Sequence, residues 1–252
     1  MFSKDGILRF QFGESGKLAG QFMYPNRVAC NPVSGDYVIT ERAPTNKVLI
    51  FTQDGQFVRH FGQNRLRHPR GVCVDGAQRI FVLECKIMKV LIFAACDGQL
   101  TKELNLKAHL SFPNAIACNL QQKLFISDNR LHCVKVFDYD GNHIGQVGGE
   151  GFTNYPIGVA INSRQEIVVC DNHNNFNITV YSADGKEIRA QLESRVKHAQ
   201  CFNVALVNDP SDAALHCKTG DSTVTDDRVV VTSKDFRVYS YKYNDAAAKK
   251  LA

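Results

Sequence analysis

The chain has 252 residues, 44% of them hydrophobic, and 30 Lys and Arg stand against 25 Asp and Glu for a net charge of +5. That is enough apolar material for a core, and no run of 18 apolar residues occurs that would cross a membrane as a helix. The opening MFSKDGILRF lacks the apolar stretch of a secretory signal, and nine cysteines without a CxxC pair fit a reducing compartment better than a disulfide framework, so the expectation is a cytoplasmic chain.

In chain order, FSKDGILRFQFG reads as the end of one strand, an Asp-Gly turn and an outer strand. YPNRVAC from Tyr24 then opens a unit that recurs as HPRGVCV from His68, FPNAIAC from Phe112 and YPIGVAI from Tyr155. Pro25, Pro69, Pro113 and Pro156 are spaced by 44, 44 and 43 residues, and QCFNVAL from Gln200 places Cys201 in the proline slot 45 residues later. Two further ladders run in phase: ITER, VLEC, ISDN and VCDN, and the Asp-Gly turns at Asp54, Asp97, Asp140 and Asp184. Within a unit, GVCVD, RIFVLE, KVLIF and LTKELNL are short, β-branched runs a, b, c and d separated by turn residues. Four antiparallel strands in that length make a propeller blade. The expected fold is an all-β propeller with almost no helix, covering 1–244, with a polar insertion at 208–228 and a disordered tail at 245–252. The last unit supplies NVALV, DRVVVTS and FRVYSYKY as strands a to c. The N-terminal ILRFQF could pair with it as a d strand and close the ring with five blades.

Antiparallel order puts the start of strand a and the end of strand b at one end of each blade, with the d-to-a and b-to-c loops. That end collects Arg27, Arg42, Lys47, Arg65, Arg67, Arg70, Lys86, Arg130 and Lys197; the opposite end collects Asp36, Asp54, Asp75, Asp97, Asp140 and Asp184. A basic face is the electrostatic signature of phosphate binding. The slot before proline holds a planar ring in four units (Tyr24, His68, Phe112, Tyr155), on which unpaired bases stack, unless the ring merely wedges between blades. The acids closing strand b, Glu41, Glu84, Asp128 and Asp171, are constant, which suggests architecture: bonds to backbone N–H groups of the b-to-c loop. Their variable neighbours Arg42, Cys85, Asn129 and Asn172 are the better readers, the two asparagines carrying donor and acceptor together for a base edge. Cys30, Cys73 and Cys118 on strand a read as small buried hydrophobes. His132, His173 and His198 lack metal-ligand spacing and read as surface or RNA-contacting histidines; the Asn177 sequon reads as idle. No catalytic, metal or cofactor set is assigned.

The aromatic-Pro pattern, the D/E-N/R step and the DG…FG step resemble an NHL-repeat β-propeller. YPNRVAC, HPRGVCV, LECKIMKVLIF, ISDNRLHCVKVF, GGEGFTNYPIGVAIN, CDNHNNFN and VKHAQCFNVAL resemble the Brain tumor subgroup of the tripartite-motif-type NHL proteins. The resemblance implies a cytoplasmic binder of short U-rich motifs in single-stranded mRNA, acting in translational repression. It carries RNA contacts over to Tyr24, Arg42, Arg70, Lys86, Phe112, Asn129, Tyr155 and Asn172, with Cys85 and His173 as lesser members. It also implies other translational repressor proteins as partners, a monomeric propeller without a membrane, and six blades where five units are visible, so truncation at the N-terminus is expected. Two alternatives stay open: a protein-interaction scaffold or substrate-recruiting propeller of a ubiquitin-ligase-type tripartite-motif protein, and a metal-dependent lyase of the kind some NHL propellers are. The favoured expectation is not an enzyme.

Overall fold

The computed structural model describes residues 1–3, 6–172, 176–194, 200–207, 228–234 and 237–242. His173, Lys197, His198, the 208–227 part of the insertion and the 245–252 tail lie outside the described residues. The chain divides into two compact units, residues 1–106 and 107–252.

In the first unit, a two-residue parallel pair, β1 (Glu14–Ser15) and β2 (Gln21–Phe22), precedes two four-stranded antiparallel sheets. Blade 1 is β3 (Pro25–Cys30), β4 (Tyr37–Glu41), β5 (Lys47–Phe51) and β6 (Phe57–Phe61). Blade 2 is β7 (Pro69–Val74), β8 (Arg79–Glu84), β9 (Lys89–Ala94) and β10 (Leu100–Asn105). The second unit holds blade 3, β11 (Pro113–Cys118), β12 (Lys123–Asp128), β13 (Cys133–Asp138) and β14 (His143–Gly148), and blade 4, β15 (Pro156–Ile161), β16 (Ile167–Asp171), β17 (Asn177–Tyr181) and β18 (Ile188–Glu193). Blade 5 is β19 (Cys201–Val207), β20 (Arg228–Ser233) and β21 (Val238–Lys242). Among the described residues the architecture is all-β, as the period of the repeat requires.

Strands b and c are covered on both faces, which is why KVLIF, RIFVLE and KLFISD carry near-continuous apolar runs rather than an alternation. In the first unit Val38, Val48 and Ile50 of blade 1 interdigitate with Val72, Val82 and Leu91 of blade 2. In the second, Phe125, Val134 and Val136 of blade 3 meet Val159, Val169 and Tyr181 of blade 4. Each such side chain contributes roughly 1.5–3 kcal/mol when fully buried. Hydroxyls stitch successive blades: Thr40 Oγ1 donates to the Arg70 carbonyl at 2.8 Å, and Ser127 Oγ to the Ile157 carbonyl at 3.2 Å.

Every strand a slips register immediately after the proline slot. Proline cannot donate to a ladder, yet blade 5 slips at Cys201 as well. The bulge therefore belongs to the blade, and proline is the residue that tolerates it.

Two expectations are corrected. Among the described residues the blade 5 sheet has three strands, and ILRFQF lies in no sheet. Instead Phe2 bridges to Leu8, and Phe12 stacks on Tyr37 at 5.5 Å and packs on Phe51 at 5.1 Å. An aromatic cluster within the first unit claims the segment. The strand-a cysteines are not buried either: Cys30 is exposed, while Cys73 and Cys118 are half-buried. Cys73 alternates with Val72 and Val74, which take the covered face, and Cys118 follows buried Ala117.

Candidate nucleic-acid interface

Where strand a begins, its proline pairs across the ladder with the acid that ends strand b: Pro25 with Glu41, Pro69 with Glu84, Pro113 with Asp128, Pro156 with Asp171. All four acids are buried. A buried carboxylate needs donors on both oxygens. Glu84 accepts the N–H of Arg67 at 2.5 Å, of His68 at 2.7 Å and of Lys86 at 3.2 Å. Asp128 accepts those of Ser111 at 2.6 Å, Phe112 at 3.0 Å, Arg130 at 3.2 Å and Leu131 at 3.1 Å. Glu41 accepts the N–H groups of Met23 and Tyr24, the Thr45 hydroxyl at 2.6 Å and the Lys47 ammonium at 3.3 Å. Burial pushes the Glu41 carboxyl up, but the bonds from Thr45, Met23 and Tyr24 and the Lys47 charge together hold it below the usual carboxylate range. The acids thus reach beyond the b-to-c loop expected from sequence. In blades 1 to 3 they clamp the backbone amide of the planar residue itself.

The slot before proline leaves its rings in solvent. Tyr24, Phe112 and Tyr155 are 48%, 47% and 48% exposed, and His68 is half-buried. A ring wedged between blades would be covered; these three are open to solvent. The Arg42 guanidinium sits 5.6 Å from the Tyr24 centroid, a cation–π pair joining two candidate residues. Lys86 is exposed and Arg70 half-buried. The Cys85 thiol donates to the His68 carbonyl at 3.4 Å; burial raises it, with the Arg70 charge acting in the opposite sense. It is a small neutral contact beside the ring.

The two asparagines part company. Asn129 is half-buried; its backbone N–H donates to the Phe112 carbonyl at 3.0 Å, and its side-chain amide has no partner among the described residues. Asn172 accepts the Cys201 N–H at 2.6 Å and donates to the Cys201 carbonyl at 3.1 Å, fastening blade 4 to blade 5. The reason is visible in the sequence: Cys201 stands where other units have proline, so only there does the slot offer an N–H.

The charge inventory also shifts. Lys47 is 1% exposed and paired with Glu41, so it adds nothing to the surface. At the opposite blade end, Asp75 is buried and bound by Arg79 at 2.7 Å. At the candidate end of the first unit Arg42, Arg65, Arg67 and Lys86 are exposed; in the second unit Lys107, Arg130, Lys234 and Arg237 are exposed in the corresponding loops. Sequence reasoning missed Thr153 and gave His132 no definite role, although Thr153 bonds to the His132 carbonyl and His132 Nδ1 accepts the Tyr155 N–H; the spacing of the repeat carries no sign of it.

Comparison with known proteins agrees with this geometry. The NHL repeat profile matches residues 153–181. Protein brain tumor of Drosophila melanogaster is 52% identical over 243 residues, covering 96% of this chain. The B-box type zinc finger protein ncl-1 of Caenorhabditis elegans is 52% identical over 248 residues, covering 98%. The chain belongs to the NHL-repeat β-propeller family. It spans 22% and 27% of the length of those two relatives. Among solved structures, a virginiamycin B lyase from Staphylococcus aureus superposes with a TM-score of 0.62 at 15% identity, covering 96% of this chain and 75% of that one. The C-terminal WD40 domain of Sif2 superposes at 0.55 with 10% identity, covering 86% and 66%. At such identity these two likenesses carry the propeller fold alone. Among the described residues no group of three or more His, Cys, Asp or Glu is gathered to hold a metal ion.

Proposed function

We propose that this NHL chain, as a propeller over 1–244, binds single-stranded RNA with a preference for short U-rich motifs, and serves translational repression in the cytoplasm without catalysis of its own. One observation carries the reading: three half-exposed rings occupy the same repeated slot, and in two of these blades a buried carboxylate fixes the ring's own amide. Rings held open at this position suit base stacking, worth about 1–3 kcal/mol per base. The contact residues in this reading are Tyr24, Arg42, Arg70, Cys85, Lys86, Phe112, Asn129 and Tyr155, with His173 beyond the described residues. Asn172 contributes through its place in the loop, its amide being engaged.

Fluorescence anisotropy with U-rich and C-rich single strands tests this. Phe112→Ala is expected to weaken U-rich binding by about tenfold, at an unchanged melting temperature. Equal binding of both strands, or an unaffected Phe112→Ala, would sink it. A protein-partner reading rests on a separate observation, the exposed turn acids Asp54, Asp97 and Asp184 at the opposite blade ends. A repressor protein retained after nuclease treatment and released by charge reversal at Asp97 would support it.

A further inference from the structure

Blade 4 presents its ring by a different device. Tyr155 adopts a left-handed backbone, φ +58°, which a residue before proline rarely does. The Asn172 N–H bonds to the Asn154 carbonyl at 3.2 Å, whereas Arg42, Cys85 and Asn129 bond to the planar residue of their own blade. What meets Tyr155 instead is His132, the last residue of the β12–β13 loop, itself at φ +54°.

Three contacts converge on this histidine. Fully buried Thr153 donates its hydroxyl to the His132 carbonyl at 2.6 Å and accepts the Gly149 N–H at 3.0 Å. The Tyr155 N–H donates to His132 Nδ1 at 3.4 Å. The two rings meet edge to face, 4.7 Å between centroids at 65°. Gly148 permits the arrangement, since a Cβ there would fall 2.2 Å from Thr153 Oγ1.

We propose that His132 is a positioning residue that holds the Tyr155 ring open for base stacking, through a hydrogen bond that only the neutral imidazole makes. This rests on the RNA-binding reading. Because Nδ1 accepts, the ring proton of the neutral form sits on Nε2; a second proton turns Nδ1 into a donor facing another donor, and the bond is lost. Other titratable groups of the elements that meet here include Asp128, Arg130 and Cys133 beside His132, Lys135 further along β13, Glu150 on the β14–β15 loop and buried Asp171, which pairs with Pro156. The Asp128 oxygens are committed to four backbone amides.

The test compares wild type, His132→Asn and His132→Leu. Asparagine keeps a side-chain acceptor at similar reach and tolerates the left-handed backbone without titrating; leucine does neither. Binding of a fluorescent U-rich single strand is measured at pH 7.5 and 5.5, with a melting temperature for each protein. His132→Asn is expected to match wild type at pH 7.5, and wild type to fall about three- to tenfold behind it at pH 5.5, part of one stacking contact. His132→Leu should be weak at both. A wild type to His132→Asn ratio that is the same at both pH values, or that rises at pH 5.5 through attraction of the imidazolium to phosphate, overturns the proposal. Nitrogen NMR of the RNA-free protein gives an independent readout: the Tyr155 amide should shift with the His132 imidazole, which should carry its proton on Nε2. A Tyr155 amide indifferent to that titration overturns the proposal whatever the RNA does. Loss of RNA binding by all three proteins at pH 7.5 overturns the functional reading and the stacking role with it, while the NMR titration still measures the His132–Tyr155 contact itself.

Discussion

The two units build the same blade end and furnish it differently. In residues 1–106 the loops beside the planar slot bring Arg42, Arg65, Arg67 and Lys86 into solvent. In residues 107–252 the same loops add Phe112, Asn129 and Tyr155 to the exposed cations Lys107, Arg130, Lys234 and Arg237. The clamp beneath stays constant in blades 1 to 3: an acid at the end of strand b holding the amide before the proline. A repeat thus separates two tasks. Buried carboxylates set the geometry, and the residues beside them are left free to differ between charge and amide chemistry.

The largest expected effect comes from breaking that constant element. Asp128→Ala strands the amides of Ser111, Phe112, Arg130 and Leu131, and should cost about 3 kcal/mol, seen as a lower urea midpoint. An unchanged midpoint would make the acid ornamental. Next, a cation and a ring should answer salt differently. Lys86→Ala is expected to weaken RNA binding about threefold at low salt for any sequence and to flatten the salt slope by about 0.7, one phosphate on a single strand. Phe112→Ala should leave that slope alone. If both variants flatten it equally, the division between charge and stacking fails.

The smallest effect concerns acid stability. The folded-state carboxyl of Glu41 lies below its unfolded value, so its contribution is present above the unfolded carboxylate pKa and is lost as pH falls through the folded one. Wild type should lose stability between about pH 5 and 3 more steeply than Glu41→Gln. Parallel curves in a pH series of denaturation midpoints would contradict the assignment.

Much of this was legible in the sequence because a propeller writes its geometry as period. Three ladders in phase located every strand a, b and c, and the constancy of Glu41, Glu84, Asp128 and Asp171 marked them as framework. What escaped depends on partners outside the repeat. Lys47 and Lys89 open strand c in successive blades and face Glu41 and Glu84 across the ladder. Yet Lys47 is sealed against Glu41 while Lys89 reaches out to Glu103 at 2.8 Å. Asn129 and Asn172 share a slot, and only the proline missing at position 201 decides which amide is taken. The N-terminal strand failed for a similar reason: its pattern fitted an outer strand, but Phe12 found an aromatic cluster nearer in the chain.

The sharpest single measurement is photocrosslinking of a 4-thiouridine strand to the purified protein, followed by peptide mapping. Adducts should fall on the peptides carrying Tyr24, Phe112 and Tyr155. Adducts confined to the Asp-Gly turns at Asp54, Asp97, Asp140 and Asp184 would place the nucleotide at the wrong end of the blades and contradict the account.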